Sequence, residues 1–192
     1  MQERNNLYPI FLKVDQLNIL IVGGGYVALE KLNFLLKSSP NAKVKLVAPF
    51  FRPETLEFAN LYKVKMIRAE YHSKFLSDQH MVIATTDNEP VNIQVYNHCK
   101  TQNILVNIAD NPPYCDFYMG GIVTKGHVKI AISTNGKSPT TAKRLRQFFE
   151  DVIPDNVDEL VNNLNVYRKT IKGNFEKKVS RLNKITESLI KK

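Results

Sequence analysis

Asn18-Ile19-Leu20-Ile21-Val22 is a short, mostly β-branched apolar run that stops at Gly23-Gly24-Gly25, the pattern of a buried strand feeding a turn. Beyond it Val27, Ala28, Lys31, Leu32, Leu35 and Leu36 fall near 3.6-residue spacing until Ser38-Ser39-Pro40-Asn41, which predicts a helix. The pattern then predicts a strand over 44–48, a short helix over 53–61, strands over 64–68 and 81–85, a helix over 89–100 and a strand over 104–108. Strands alternating with helices at these lengths imply a mainly parallel sheet covered on both faces, over residues 1–112.

Past Asp110-Asn111-Pro112-Pro113 the pattern changes. Two β segments, 117–124 and 127–134, are separated only by Lys125-Gly126, which predicts an antiparallel hairpin. Ser138-Pro139 opens a helix to about residue 151, Pro being favoured at the first helical position. From Asp155 onward Leu160, Leu164, Tyr167, Ile171, Phe175, Val179, Leu182, Ile185 and Leu189 recur every three or four residues, an amphipathic helical end that Gly173-Asn174 divides in two. The expected division is therefore 1–112, 113–150 and 151–192.

Composition adds two constraints. The 192 residues hold two cysteines, Cys99 and Cys115, too few for a disulfide scaffold and without zinc-like spacing, so a reducing, cytoplasmic setting is expected. No apolar run approaches the roughly 18–20 residues that cross a bilayer, and Met1-Gln2-Glu3-Arg4 is too polar to begin a signal peptide, so no membrane partner is expected. The formal charge is +9, and residues 168–192 alone carry nine basic against two acidic side chains. Such a basic end suggests an acidic partner. It motivates an alternative reading, a nucleotide-sensing nucleic-acid binder, although sparse aromatic residues and the lack of a zinc finger favour a partner other than nucleic acid.

Candidate chemistry begins at Gly23-x-Gly25-x-x-Ala28, set between a predicted strand and a predicted helix. Gly23 permits the tight turn, Gly25 leaves room for a pyrophosphate beside the backbone, and Ala28 lets helix pack on strand. The carboxylate often found about 20 residues further on to bind a ribose is missing from Val47-Ala48-Pro49-Phe50-Phe51-Arg52, leaving Phe50 as a neighbour of the adenosine and Arg52 as either a 2′-phosphate contact or a solvated cation. Thr85-Thr86-Asp87-Asn88 and Asn107-Ile108-Ala109-Asp110-Asn111 end the fourth and fifth strands, where an open α/β sheet presents its ligand crevice; turn chemistry explains the same residue types. Tyr96-x-x-x-Lys100 imitates a catalytic pair of short-chain dehydrogenases by chance spacing. His72, His80, His98 and His127 show no metal-ligand spacing, so no metal site is expected.

The ordered segments Leu7-Tyr8-Pro9-Ile10-Phe11, Ile21 to Lys31 around the glycines, Ala84-Thr85-Thr86-Asp87, Val106-Asn107-Ile108-Ala109-Asp110, Cys115-Asp116-Phe117 and Ile132-Ser133-Thr134-Asn135-Gly136-Lys137-Ser138-Pro139 resemble the precorrin-2 dehydrogenase family of sirohaem synthesis, which includes sirohydrochlorin ferrochelatases. Met119-Gly120-Gly121 departs from the Pro-Ala of many relatives. The resemblance implies a Rossmann-like NAD-binding domain (1–112), a β-rich dimerisation segment (113–150) and a helical domain (151–192), in a homodimer. It implies oxidation of precorrin-2, a tetrapyrrole, to sirohydrochlorin with NAD as cofactor, and in some members iron insertion. By the same resemblance Asp110 is the catalytic aspartate. Gly23, Gly25, Tyr26, Val27 and Phe50 contact the cofactor, with Thr85 and Asn107 nearer the reactive ring, and Lys137 and Ser138 bind a substrate carboxylate. A basic helical end would help steer so acidic a substrate.

Overall fold

The computed structural model describes residues 5–187. The polar N-terminal tetrapeptide and Leu189, Lys191 and Lys192 of the basic end lie outside the described residues.

The first unit runs up to Gly120 and takes in Ser133–Pro139. Its five strands, β1 (Asn18–Val22), β2 (Lys43–Ala48), β3 (Lys65–Arg68), β4 (Met81–Ala84) and β5 (Leu105–Ile108), form one sheet in the order β3-β2-β1-β4-β5. Every pairing is parallel. Helices α1 (Tyr26–Ser38), α2 (Pro53–Leu61) and α3 (Glu89–Thr101) make the crossovers from β1 to β2, β2 to β3 and β4 to β5. Strand alternation divides the core in two, as side chains of period two must. Ile19, Ile21, Leu46, Ala48, Met81 and Ile83 pack under Ala28, Leu32 and Leu36 of α1. Leu20, Val22, Val47, Val82, Ala84, Val106 and Ile108 pack under Val95 and Cys99 of α3 and Leu76 of a short 3-10 turn. Because β1 is buried on both faces, it carries no polar alternation, which is why it reads as a continuous apolar run.

The second unit comprises Gly121–Ile132 and the chain from Thr140 onward. Strands β6 (Gly121–Lys125) and β7 (Val128–Ile132) form an antiparallel pair, followed by helices α4 (Pro139–Val152), α5 (Val157–Thr170) and α6 (Phe175–Thr186). Val123 and Ile171 are its buried apolar residues. Asp158 of α5 accepts both the backbone N–H and the ring nitrogen of His127 at 2.6 Å, and Asp155 pairs with Lys125. These contacts hold both carboxyl groups below their usual range, hydrogen bonding being the larger cause for each. Asn174 caps α6 by accepting from the Lys177 N–H at 3.0 Å, and Gly173 just before it has φ +123°, so the predicted break falls where expected.

Two expectations need correcting. The first hairpin strand starts at Gly121, not 117, because Phe117 and Met119 pack against the α1 side of the first core. The turn is Gly126-His127, one residue later than expected, with Lys125 opposite Val128. By their contacts, 113–120 and 133–139 cluster with the parallel sheet.

Candidate functional site

The strand order reverses at β1, which pairs with β2 on one side and β4 on the other, so a crevice opens at the carboxyl ends of β1 and β4. Hydrogen bonds continue the sheet one residue past the strands: Gly23 N–H to Val47 O at 2.9 Å, Thr85 N–H to Val22 O at 2.8 Å and Ala109 N–H to Ala84 O at 2.9 Å. The residues that follow are fixed at the crevice rim.

The glycine loop is wedged between the two neighbouring strands. A Cβ on Gly23 would stand 2.2 Å from Thr85 Oγ1, and its φ of +132° is a region that L side chains rarely adopt. A Cβ on Gly24 would meet the Phe50 carbonyl oxygen at 2.1 Å, and Gly24 O in turn accepts from the Arg52 N–H at 3.0 Å. Around the Cβ position of Gly25 there is nothing within 4 Å. Gly25 is also the N-cap of α1, has no side-chain cap and accepts the first helical bond from Leu29 N–H at 3.1 Å. The amides of Tyr26, Val27 and Ala28 therefore precede the helical ladder beside open space, with no acidic residue in that turn to compete for an anion. This arrangement fits a pyrophosphate. Gly24, the unspecified position of the Gly23-x-Gly25 motif, is as tightly enclosed as Gly23, and the run of three glycines is its sequence signal.

Tyr26 and Phe50 are exposed at the rim and Val27 is half-buried. The Arg52 guanidinium lies 3.6 Å over the Tyr26 ring and its Nε reaches Glu54 at 3.4 Å, so Arg52 is a stacked, paired cation rather than a freely solvated one. Thr85 is buried, and its hydroxyl donates to Val22 O at 3.0 Å. It supports the glycine loop from beneath. Thr86 Oγ1 lies 2.7 Å from Asn92 Oδ1, and Asn92 Nδ2 donates to Thr86 O at 2.8 Å, which ties this turn to α3; Asn92, inside the helix, had no sequence signal.

Asp110 is exposed one residue past the extension of β5, with φ +58°. Adjacent parallel strands are about 4.8 Å apart, so the end of β5 lies roughly 10 Å across the crevice from that of β1. The loop behind Asp110 is pinned from several sides. Asp116 accepts from Lys100 at 2.7 Å and from Val106 N–H at 3.1 Å. Asn107 Nδ2 donates to Phe117 O at 2.8 Å and lies 3.3 Å from Cys115 Sγ, whose thiol donates to Ile108 O. Burial pushes the Cys115 thiol up, and burial raises the Cys99 thiol to about 12, so neither is poised as a thiolate. Asn107 is thus turned inward to hold the loop, and Lys100 is a loop clamp, which removes the resemblance of Tyr96-x-x-x-Lys100 to a catalytic pair.

The segment with Lys137 and Ser138 is a separate turn. Thr134 Oγ1 receives the Ser138 N–H and donates to Ser138 O, each at 3.1 Å, while Asn135 and Gly136 have positive φ. Among the described residues, no three His, Cys, Asp or Glu side chains come together as a metal cluster.

A crossover at β1, a glycine loop closed at Gly23 and Gly24 but open at Gly25, and an unscreened helix start define a dinucleotide-binding domain. The chain belongs to the family described as "Putative NAD(P)-binding", whose model matches residues 10–121. Residues 125–151 match a second model, "Sirohaem biosynthesis protein central". Among relatives, the siroheme synthase of Pseudoalteromonas translucida is 39% identical over 168 residues, 88% of this chain and 35% of that protein. The siroheme synthase of Nitrosococcus oceani is 37% identical over 164 residues, 85% and 35% of the two chains. The chain thus spans about a third of the length of these relatives. A solved structure of SirC, a precorrin-2 dehydrogenase, superposes with a TM-score of 0.71 over 93% of this chain and 89% of that one at 22% identity, which shows a shared fold. The resemblance to enzymes of sirohaem synthesis is borne out, as is the fold class.

Proposed function

We propose that this chain oxidises precorrin-2 to sirohydrochlorin with NAD. The observation that carries the reading is the glycine loop, whose Gly23 and Gly24 are locked against strand ends while Gly25 is open beside the α1 amides. The similarity to siroheme synthases over 88% of the chain supports the choice of substrate. When bound, the dinucleotide supplies the acceptor for the hydride. Tyr26, Val27 and Ala28 amides hold its pyrophosphate, and Tyr26 and Phe50 flank the adenosine. Asp110 takes the proton that leaves the tetrapyrrole with the hydride, the role of a general base. Lys137 and Ser138 hold a substrate carboxylate. Anaerobic mixing with precorrin-2 should produce the sirohydrochlorin spectrum when NAD is present and leave precorrin-2 unchanged without it. No conversion with NAD would refute the proposal.

The proposal includes a homodimer built on the second unit. Leu145, Phe148 and Val152 share one side of α4 at i, i+3 and i+7, and all three are exposed. Light scattering should give twice the chain mass, and Phe148→Lys should halve it; a monomeric wild type would contradict the dimer. A cytoplasmic setting completes the reading, in keeping with two free cysteines and with no described helix long and apolar enough to cross a membrane. The basic residues of α5 and α6 are assigned to steering an acidic substrate, with Arg181 and Arg168 lying over the Tyr167 and Phe175 rings.

A further inference from the structure

At the amino ends of the strands, one strand length from the glycine loop, lies a cleft of about 300 Å³. Lys43, Lys45 and Lys65 line it with Ser77, Asp78 and Gln79. Lys43 and Lys45 alternate onto the face that also carries Val47, and Lys65 is the register partner of Lys45. All three lysines therefore project from the same face of the sheet, where its apolar covering ends at Leu76. None of them takes part in an ion pair among the described residues.

The connection from Leu76 to β4 forms the wall. Gln79 is 9% exposed; its Nε2 donates to Ser77 O at 3.0 Å, while its Oε1 is buried without a hydrogen-bond partner. A buried acceptor left unpaired costs about 1–3 kcal/mol. Asp78, with φ +61°, receives the Ser77 hydroxyl at 3.3 Å and places one carboxylate at the rim. Three lysines and one carboxylate thus line the cleft together with Gln79, whose Oε1 lacks a donor.

We propose that this cleft binds a small hydroxylated polycarboxylate, its carboxylates on Lys43, Lys45 and Lys65 and its hydroxyl donating to Gln79 Oε1. Register partners lie about 4.8 Å apart and alternate residues on one strand about 6.6 Å between Cα atoms, so three ammonium groups on flexible stems can each meet a separate carboxylate of one molecule. The site is independent of the dinucleotide crevice at the opposite ends of the strands.

Citrate tests the anion and hydroxyl together, tricarballylate the same carboxylates without the hydroxyl, and inorganic phosphate a single compact anion. Calorimetry at low salt should give citrate a Kd of about 1 mM or tighter. Tricarballylate should bind roughly threefold to tenfold more weakly, the worth of one hydrogen bond, and phosphate more weakly still. Amide shifts in a two-dimensional NMR spectrum should cluster at residues 43–45, 65 and 77–79. Lys45→Ala with Lys65→Ala should weaken citrate at least ~10-fold, two charge-assisted contacts being lost. Gln79→Met should bring citrate and tricarballylate to equal affinity; unchanged NMR dispersion and Tm certify that both variants fold. The proposal is overturned by unsaturable citrate binding, by equal wild-type affinity for citrate and tricarballylate, by phosphate binding as tightly as citrate, or by folded lysine variants that retain full affinity.

Discussion

Gly24→Ala is expected to lower Tm by roughly 6–12 °C and to abolish dinucleotide binding. Its new methyl would stand 2.1 Å from a backbone carbonyl, that of Phe50, and 3.0 Å from Phe51 Cα, neither of which can rotate away. Overpacking of this kind costs about 3 kcal/mol at the upper end of the usual range, and a chain of this length loses roughly 2–4 °C per kcal/mol. Gly25→Ala is the informative contrast. Its backbone φ of −86° suits alanine, and nothing lies within 4 Å of the new methyl. Tm should move by no more than a few degrees, because the freedom that alanine removes from the unfolded chain offsets its poorer fit at the N-cap. NAD affinity should nevertheless fall about tenfold or more, since the methyl occupies the side from which the pyrophosphate reaches the α1 amides. Calorimetric titration and thermal unfolding of the two variants separate these outcomes. A Gly25→Ala protein that binds NAD normally would remove the helix start from the binding site.

Asp110→Asn should lower kcat by about 10²–10⁴-fold, the usual worth of a general base, while Tm and the Kd for NAD stay near wild type. Asparagine is the right probe because Asp110 has φ +58°, a conformation that asparagine tolerates and alanine resists. The loop is also held by Asp116, Cys115 and Asn107 rather than by Asp110 itself. Loss of turnover in this variant therefore reports chemistry and not loop collapse. Undiminished turnover would take Asp110 out of the mechanism.

The parallel sheet was legible because β1 and β4 are buried on both faces and thus apolar without interruption, and because Gly23 and Pro53 punctuate the chain where the structure turns. The glycine motif was legible for the same reason, its constraint being local. What escaped was set by contacts distant in sequence. Lys100 and Asp116 are 16 residues apart and His127 and Asp158 are 31 apart, so no spacing rule joins them. Asn107 and Thr85 stand at strand ends that face the crevice, and the hydrogen bonds of their side chains to distant backbone, which shape the loops around it, have no sequence signal. The late start of β6 had the same origin, since the apolar pattern of Phe117 and Met119 fits a strand equally well as packing on α1.

The most direct measurement is an anaerobic time course of the purified chain with precorrin-2 and NAD, following NADH and sirohydrochlorin absorbance together. The two should appear at one rate and in equal amounts, and both should slow together in Asp110→Asn. Sirohydrochlorin formed without matching NADH, or no product at all, would contradict NAD-dependent oxidation by this site.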